Sequence, residues 1–536
     1  MLFNSTLFIF AFLPITLIGY YLIMSLRWTE PALGWLVVCS FVFYGWWNPV
    51  YVWLIAGSMI FNFILGQAIS KPSRWRRAGL IFGIASNLLL LGYYKYFDFF
   101  ILTLNTAFST DFNLQHIILP LAISFFTFTQ IAFLVDSYRD QAREYNFLHY
   151  CLFVTFFTHL IAGPIVHHKQ FLPQFLERKN TQINYAYIAV GLTIFAIGLF
   201  KKVVFADSLA GQVTAVYGAP GTSIASAPSF LDAWLATLSY ALQLYFDFSG
   251  YSDMAIGLSL LFGIKLPINF NSPYKATNIV EFWRRWHITL SNFLRDYLYI
   301  SLGGNRKGKA RRYLNLWLTM LLGGAWHGAS LNFIIWGALH GFYLVINHGW
   351  HTLRRALGLK SAGVLTIPVR VLAVAITFIA TLFAWVFFRA YDLHSAKLIT
   401  GAMLGSSGAD VSRIAQAAQA GMAGTEALLD KTLALADFSW QQKSLVFALE
   451  AQKISWGVAG TLLTLGALLL IVWFTPNTQQ IFARYQPALD CPPDEGNGCW
   501  RFGMSWRAAL LTGLIFFVAL SQLFSATPSQ FMYFNF

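Results

Sequence analysis

Charge is scarce in this chain. Only 11% of its 536 residues are Asp, Glu, Lys or Arg, against roughly 25% in a soluble domain. Polar linkers are missing as well, although a soluble chain of this length would be cut into units of about 100–200 residues. These shortages exclude a soluble enzyme, a disordered chain and a protein held by one anchor. Four cysteines are too few for a disulfide scaffold. The phosphate-binding GxxxxGK[ST], a GxGxxG after a strand and the zinc-binding HExxH are absent, as is the nucleophile-elbow GxSxG. No stretch alternates as an outer-membrane strand does, and no repeat of fixed period occurs. The opening MLFNSTLFIFAFLPITLIGYYLIMSLR lacks the basic leader and small-residue cleavage site of a signal peptide, so it reads as a retained span.

What is abundant is apolar sequence. Hydrophobic residues make up 57% of the chain. After the first span they gather near 32–47, 50–70, 79–104, 117–136, 147–163, 184–200, 231–263, 313–347, 366–390, 456–475 and 508–525. A helix needs about 20 such residues to cross a bilayer, so the expectation is an all-α polytopic membrane protein of about 11–13 spans. The runs 231–263 and 313–347 are too long for one simple span. They contain Ser249-Gly250 and Gly323-Gly324, so each is expected to be two helices, or one that is bent or re-entrant.

The net charge of +14 is assigned to cytoplasmic loops rather than to nucleic-acid binding. Lys71, Arg74, Arg76 and Arg77 mark one such loop, and the basic stretch 265–312 a second, cytoplasmic or interfacial. Stretch 105–116 has no Lys or Arg and is placed outside. Segment 403–455 is Ala-rich and nearly balanced in charge, and is read as an extracytoplasmic insertion. The sidedness of 147–230 is left open by conflicting signals. Cys39 and Cys151 lie in apolar runs and are read as core thiols. Cys491 and Cys499 bracket CPPDEGNGC, which has neither a second CxxC nor a nearby His for zinc. Placed on the cytoplasmic side, they are expected to be free thiols.

Ionisable residues within apolar runs default to function or to internal pairing. Of the 11 histidines, His116, His149, His348, His351 and His394 sit at run ends or in loops and carry no chemical expectation. His159, His340 and the pair His167-His168 read either way. His327 stands out in LLGGAWHGASLNFIIWG, midway along an apolar run, among Gly323, Gly324, Ala325, Gly328, Ala329 and Ser330. Small residues let a backbone or a ligand come close. Either His327 faces a cavity or it hydrogen-bonds across packed helices. His287 lies in EFWRRWHITLSNFLRDYLYI. At about 100° per residue, one continuous helix would put Glu281, Arg284, Arg285, Asn292, Arg295 and Asp296 on one face. His287 would fall on the other, beside Trp283, Leu290 and Leu294. The expectation is an amphipathic interfacial helix with its histidine inward and its charges snorkelling at the rim. Asp247 and Asp253, in YFDFSGYSD, fit a proton or cation path, or a structural pair with Arg.

At these residues the chain resembles the membrane-bound O-acyltransferase superfamily, and within it the bacterial branch that O-acetylates polysaccharides. The stretches that carry the resemblance are LPLAISFFTFTQIAFLVDSYR (119–139), HLIAGPIVHHKQF (159–171), GLFKKVVFAD (198–207) and YFDFSGYSDMAIGL (245–258). NFNSPYKATNIVEFWRRWHITLSNFLRDYLYISLGGNR (269–306), GGAWHGASLNFIIWGALHG (323–341), WVFFRA (385–390), PNTQQI (476–481) and FMYFNF (531–536) continue it. They span nearly the whole chain, and block 245–341 is the most specific. Segment 403–455 and CPPDEGNGC match no family motif.

The resemblance implies a single transmembrane domain, 1–536, with its core motifs in 119–341 and a ring of helices around a funnel. The family's WHG histidine is catalytic and matches His327. The RWH histidine is also needed in the bacterial branch and matches His287. Donors enter from the cytosol, acetyl-CoA being the usual one, with no bound cofactor and no metal. Acetyl groups pass outward to a periplasmic SGNH-type partner that modifies the polysaccharide, which places the chain in the bacterial inner membrane.

The chemistry fits such a site. Transfer from a thioester to an alcohol needs a base and a dry path, and histidine has the right basicity near neutral pH. His327 takes that role, and His287 orients donor or acceptor or shares the proton. Arg284, Arg285 and Arg295 either bind the donor's phosphates or anchor the helix at the membrane surface. Direct transfer and a covalent acyl-His intermediate are both compatible. D-alanyl or another acyl group from a carrier protein is the alternative donor. A transporter would need inverted repeats with matching broken helices, and none is seen. A scaffold of a polysaccharide synthase complex would tolerate loss of His327.

Overall fold

The Phe230–Leu261 helix is the spine of the molecule. In the computed structural model it runs unbroken for 32 residues, buried along nearly its whole length. Ser229 starts it by accepting the Asp232 N–H at 3.1 Å, an ordinary N-cap. Its first half, Ala233 to Phe248, packs into one apolar core with Trp336, Trp385 and Phe388. Its second half, Tyr251 to Leu261, packs into another with the N-terminal helices and Trp326. The structure describes residues 1–141, 146–177, 182–358, 366–408, 412–414, 416, 457–491, 501–525 and 531–532. They form helix and loop, with no strand among the described residues.

Among the described residues, six helices are long and apolar enough to cross a membrane: Phe8–Ser25, Val50–Ser70, Arg76–Phe108, Tyr185–Tyr217, Ile367–Arg389 and Trp506–Phe524. Thr29–Gly45 and Ala459–Phe474 are apolar but shorter. The polytopic all-α expectation holds. Most of the 403–455 insertion lies outside the described residues, as does Cys499, so the Cys491–Cys499 expectation does too.

The expected break at Ser249-Gly250 does not occur. Gly250 and Gly257 face Gly191 and Gly198 of the Tyr185–Phe200 helix at the same seven-residue spacing. A Cβ on Gly198 would sit 2.6 Å from the Gly250 carbonyl oxygen, and one on Gly191 2.7 Å from that of Gly257. These glycines let two backbones touch, as small residues do in membrane helix pairs; they do not end a helix.

In the 313–347 run a break exists but is displaced. The helices are Gly308–His327 and Leu331–Ala356. Ser330 caps the second by accepting the Asn332 N–H at 3.3 Å. Gly324, expected as a breaker, lies inside the first helix, where a Cβ would meet the Gly337 Cα at 2.8 Å. The chain turns back on itself right after His327, and the paired glycines hold the two arms together.

Candidate active site

His327 is the last residue of its helix, and Gly328 follows in extended backbone. The ring is buried, 5% exposed. It meets Trp326 at 4.9 Å, Trp336 at 5.0 Å and Phe388 at 5.2 Å between centroids. Trp326 belongs to one core and Trp336 to the other, so the imidazole sits where the two cores meet. Gly328 has no room for a side chain, because a Cβ there would run into the Phe333 ring. The WHG spacing is therefore a packing solution: a histidine at a helix end, then a residue small enough for the aromatic wall.

A helix end leaves carbonyls without partners. Here a neighbouring helix supplies them. Lys95 Nζ donates to the carbonyls of Trp326 at 2.7 Å and His327 at 2.9 Å. The Tyr96 hydroxyl donates to that of Ala325 at 2.5 Å. A cation at a helix C-terminus is favoured by the dipole as well. Lys95 also lies 5.8 Å from the Trp326 ring centroid. Sequence reasoning passed over it. The available signal was a lysine inside the apolar run 79–104.

Two cavities meet this corner. One, of about 550 Å³, is walled by His327, Trp326, Lys95, Ser124 and the apolar loop 119–123, with Trp46 and Trp47. The other, of about 460 Å³, is walled by Lys95, Asp98, Gly328, Ser330, Gln243 and Arg389. Lys95 belongs to both walls. His327 is among the residues that wall the first cavity.

His287 corrects the helical projection. Residues 279–299 are not one helix. Ile279–Trp283 and Ile288–Phe293 are separate short helices, and His287 between them has φ +42°. A non-glycine residue in that region is strained, and such strain gathers at functional sites. The ring is nonetheless buried and inward, 1% exposed, and stands edge-on to Phe248 at 4.8 Å. Its Nδ1 lies 3.1 Å from Asn269 Oδ1, which also accepts the Thr289 hydroxyl at 2.7 Å. An amide oxygen can only accept, so Nδ1 carries the proton and Nε2 is left as the basic nitrogen.

The three arginines separate. Arg295 lines a polar cavity of about 380 Å³ with Arg139, Lys169, His167, Asp136, Thr289 and Tyr297. Its Nε lies 2.7 Å from Asp296 Oδ1. Arg284 is exposed, and Arg285 pairs with Glu281 at 2.7 Å; neither lines this cavity. Arg139 and Lys169, not expected from the sequence, do. His167 Nδ1 sits 3.1 Å from the Tyr297 hydroxyl, which donates to Asp136 at 2.9 Å. Thr289, shared by the cavity wall and the Asn269 oxygen, links this side to His287.

The other buried candidates lie among aromatic rings or in ion pairs. His340 is enclosed by Phe282, Trp283, Trp336 and Tyr343. His159 stands edge-on to Phe171 at 5.0 Å. Asp247 and Asp253 are paired with lysines, not arginines. Lys202 Nζ is 2.8 Å from Asp247, and Lys201 Nζ 2.6 Å from Asp253. PNTQQI closes the second pair: Thr478 Oγ1 donates to Asp253 at 2.7 Å and Gln479 Nε2 at 3.1 Å. No three His, Cys, Asp or Glu among the described residues come together as a metal ion would require.

The chain is similar to known proteins over most of its length. The model of the MBOAT, membrane-bound O-acyltransferase family, matches residues 109–391. A peptidoglycan O-acetyltransferase of Helicobacter pylori is 47% identical over 447 residues, 78% of this chain and 82% of that one. A protein of Pseudomonas aeruginosa named "Probable alginate O-acetylase AlgI" is 44% identical over 411 residues, 75% of each chain. A teichoic acid D-alanyltransferase of Streptococcus thermophilus is more distant, 29% identical over 298 residues, 52% of this chain and 70% of that one. These matches, over a polytopic helical chain, make it a member of the membrane-bound O-acyltransferase family, an O-acyltransferase of the membrane.

Proposed function

We propose that this enzyme takes an acetyl group from acetyl-CoA at the cytoplasmic face of the bacterial inner membrane and delivers it outward to a polysaccharide through an SGNH-type periplasmic partner. One observation carries the reading: His327 walls a cavity at the junction of two cores, while His287 is tied through Asn269 and Thr289 to a separate polar cavity. The polar cavity, with Arg139, Lys169 and Arg295, suits a phosphate-bearing donor. The relatives named for peptidoglycan and alginate support a polysaccharide as the final acceptor. The D-alanyl relative is the more distant one, which favours acetyl.

His327 is the general base. It takes the proton of the attacking hydroxyl as the oxygen bonds to the thioester carbonyl carbon. The carbon–sulfur bond then breaks, and the imidazolium returns the proton to the departing thiolate. His287, with Nδ1 held by Asn269, orients the donor on its side. The aromatic walls keep water from the thioester.

The test is His327→Ala. Polymer O-acetylation should be lost while the protein still inserts and accumulates. A well-inserted variant that acetylates normally would overturn the reading and favour a scaffold.

A further inference from the structure

We propose that Lys95 is a catalytic residue: its ammonium stabilises the negative charge that develops on the acyl carbonyl oxygen during transfer. The inference rests on the reading of His327 as the base. An ammonium has three N–H donors. Two are engaged by the carbonyls of Trp326 and His327 at 2.7 and 2.9 Å. Beside the Trp326 ring at 5.8 Å, the only further hydrogen-bond acceptor among the described residues is Ser124 Oγ at 3.4 Å, long for a hydrogen bond. So one donor is poorly satisfied, and it belongs to a side chain in the wall of both cavities.

The charge is also uncommitted. Asp98, one turn further along the same helix, accepts the backbone N–H groups of Gln115 at 2.8 Å and Ile117 at 2.9 Å instead. The partners of Lys95 among the described residues are carbonyls and a hydroxyl, not a carboxylate. An ammonium with no carboxylate partner among the described residues, held against the backbone of the base itself, is a preorganised site for an oxyanion. Its position is locked to His327 because it hydrogen-bonds that residue's own carbonyl.

In the step, the hydroxyl oxygen bonds to the carbonyl carbon and its proton goes to His327. The carbonyl π electrons move onto oxygen, which accepts a hydrogen bond from Lys95. When they return, the carbon–sulfur bond breaks and the thiolate takes the proton from His327. Lys95 keeps its proton throughout.

The rival role is a helix cap alone, and glutamine separates the two. Its amide donates to carbonyls but carries no charge. Lys95→Gln, Lys95→Met and Lys95→Arg are made in the full-length enzyme in membranes. Thiol release from acetyl-CoA and O-acetyl content of the polymer are measured per inserted protein. The assignment requires turnover to fall about 100-fold in both the Gln and Met forms, with the KM for acetyl-CoA nearly unchanged and with partial recovery in Lys95→Arg. A Lys95→Gln form within about threefold of wild type overturns it, since the cap would then suffice. Failure of both neutral forms to accumulate also overturns it, by showing that the cation holds the fold. His327→Ala in the same assay tells the two readings apart. An inert His327→Ala beside an active Lys95→Gln removes only the Lys95 assignment, whereas an active His327→Ala removes the base on which it depends.

Discussion

Asn269 grips the turn at His287 at two points, the His287 ring and the Ile288 backbone. Its side-chain oxygen faces the His287 Nδ1 at 3.1 Å, and its backbone carbonyl accepts the Ile288 N–H at 3.0 Å. A second backbone bond, from the Asn271 N–H to the Arg285 carbonyl at 2.9 Å, pins the same turn. Together they offset the cost of a left-handed histidine, about 1–3 kcal/mol. The motif stretch NFNSPY is thus the mould in which RWH is set.

Asn269→Leu removes the acceptor and leaves two buried donors, the His287 ring and the Thr289 hydroxyl, without it. Each such loss costs about 1–3 kcal/mol. Acetyl transfer per inserted protein should fall about 10- to 100-fold. Asn269→Asp keeps an acceptor and should lose less. Equal activity of the Leu variant and wild type would mean that the orientation of His287 does not matter.

Gly328 has φ −166°, extended backbone that any residue can adopt. Its restriction is space alone, since the Phe333 ring fills the position a Cβ would take. Gly328→Ala should cost about 1–3 kcal/mol by overpacking and displace His327 from its aromatic box. Pairing it with Phe333→Leu should restore part of the transfer activity lost in Gly328→Ala. If the double variant is no better than the single one, the Phe333 contact is not what excludes a side chain.

The membrane class was legible in the sequence because it has a one-dimensional signal, scarce charge and long apolar runs, and His327 is singled out in the same way, as a histidine among small residues. The backbone at His287 was not. A helical projection assumes one continuous helix, and nothing local announces that another segment, 269–271, will hold His287 in a left-handed conformation. Gly250 and Gly324 misled for a similar reason. Glycine breaks an isolated helix, but it also lets two helices meet, and only the partner helix decides which applies. Lys95 carried a signal that was passed over, whereas its bonds to residues 231 and 232 positions away are purely tertiary.

Lys201 and Asp253 form a partner-dependent buried pair. Their side chains are 15% and 6% exposed, and Asp253 also holds the 478–479 clip. Removing one charge strands the other, at a cost of about 3–5 kcal/mol. Lys201→Met and Asp253→Asn should each lower the amount of folded protein in membranes, and the double variant should recover part of it. A double variant worse than the sum of the singles would argue for a role in ion or proton passage rather than in structure.

The separation of the arginines gives the last test, and it distinguishes donor binding from membrane anchoring. Arg295 walls the polar cavity with Arg139 and Lys169, whereas Arg284 is exposed and Arg285 is engaged by Glu281. If the cavity receives the donor's phosphates, Arg295→Ala should raise the KM for acetyl-CoA about 10-fold, since a hydrogen bond to a charged group contributes about 1.5–3 kcal/mol. Turnover at saturating donor should change little, because the reacting atoms lie elsewhere. Arg284→Ala should leave both constants near wild type. Arg285→Ala should lower abundance more than KM, because its guanidinium also donates to the Asn271 carbonyl at 3.2 Å and so braces the turn that carries His287. Anchoring predicts a different order: all three variants would reduce membrane insertion alike, and the KM of what is inserted would not move. Steady-state thiol release over a range of acetyl-CoA concentrations, normalised to inserted protein, separates the two patterns. A wild-type KM for Arg295→Ala would remove the polar cavity from the donor's path.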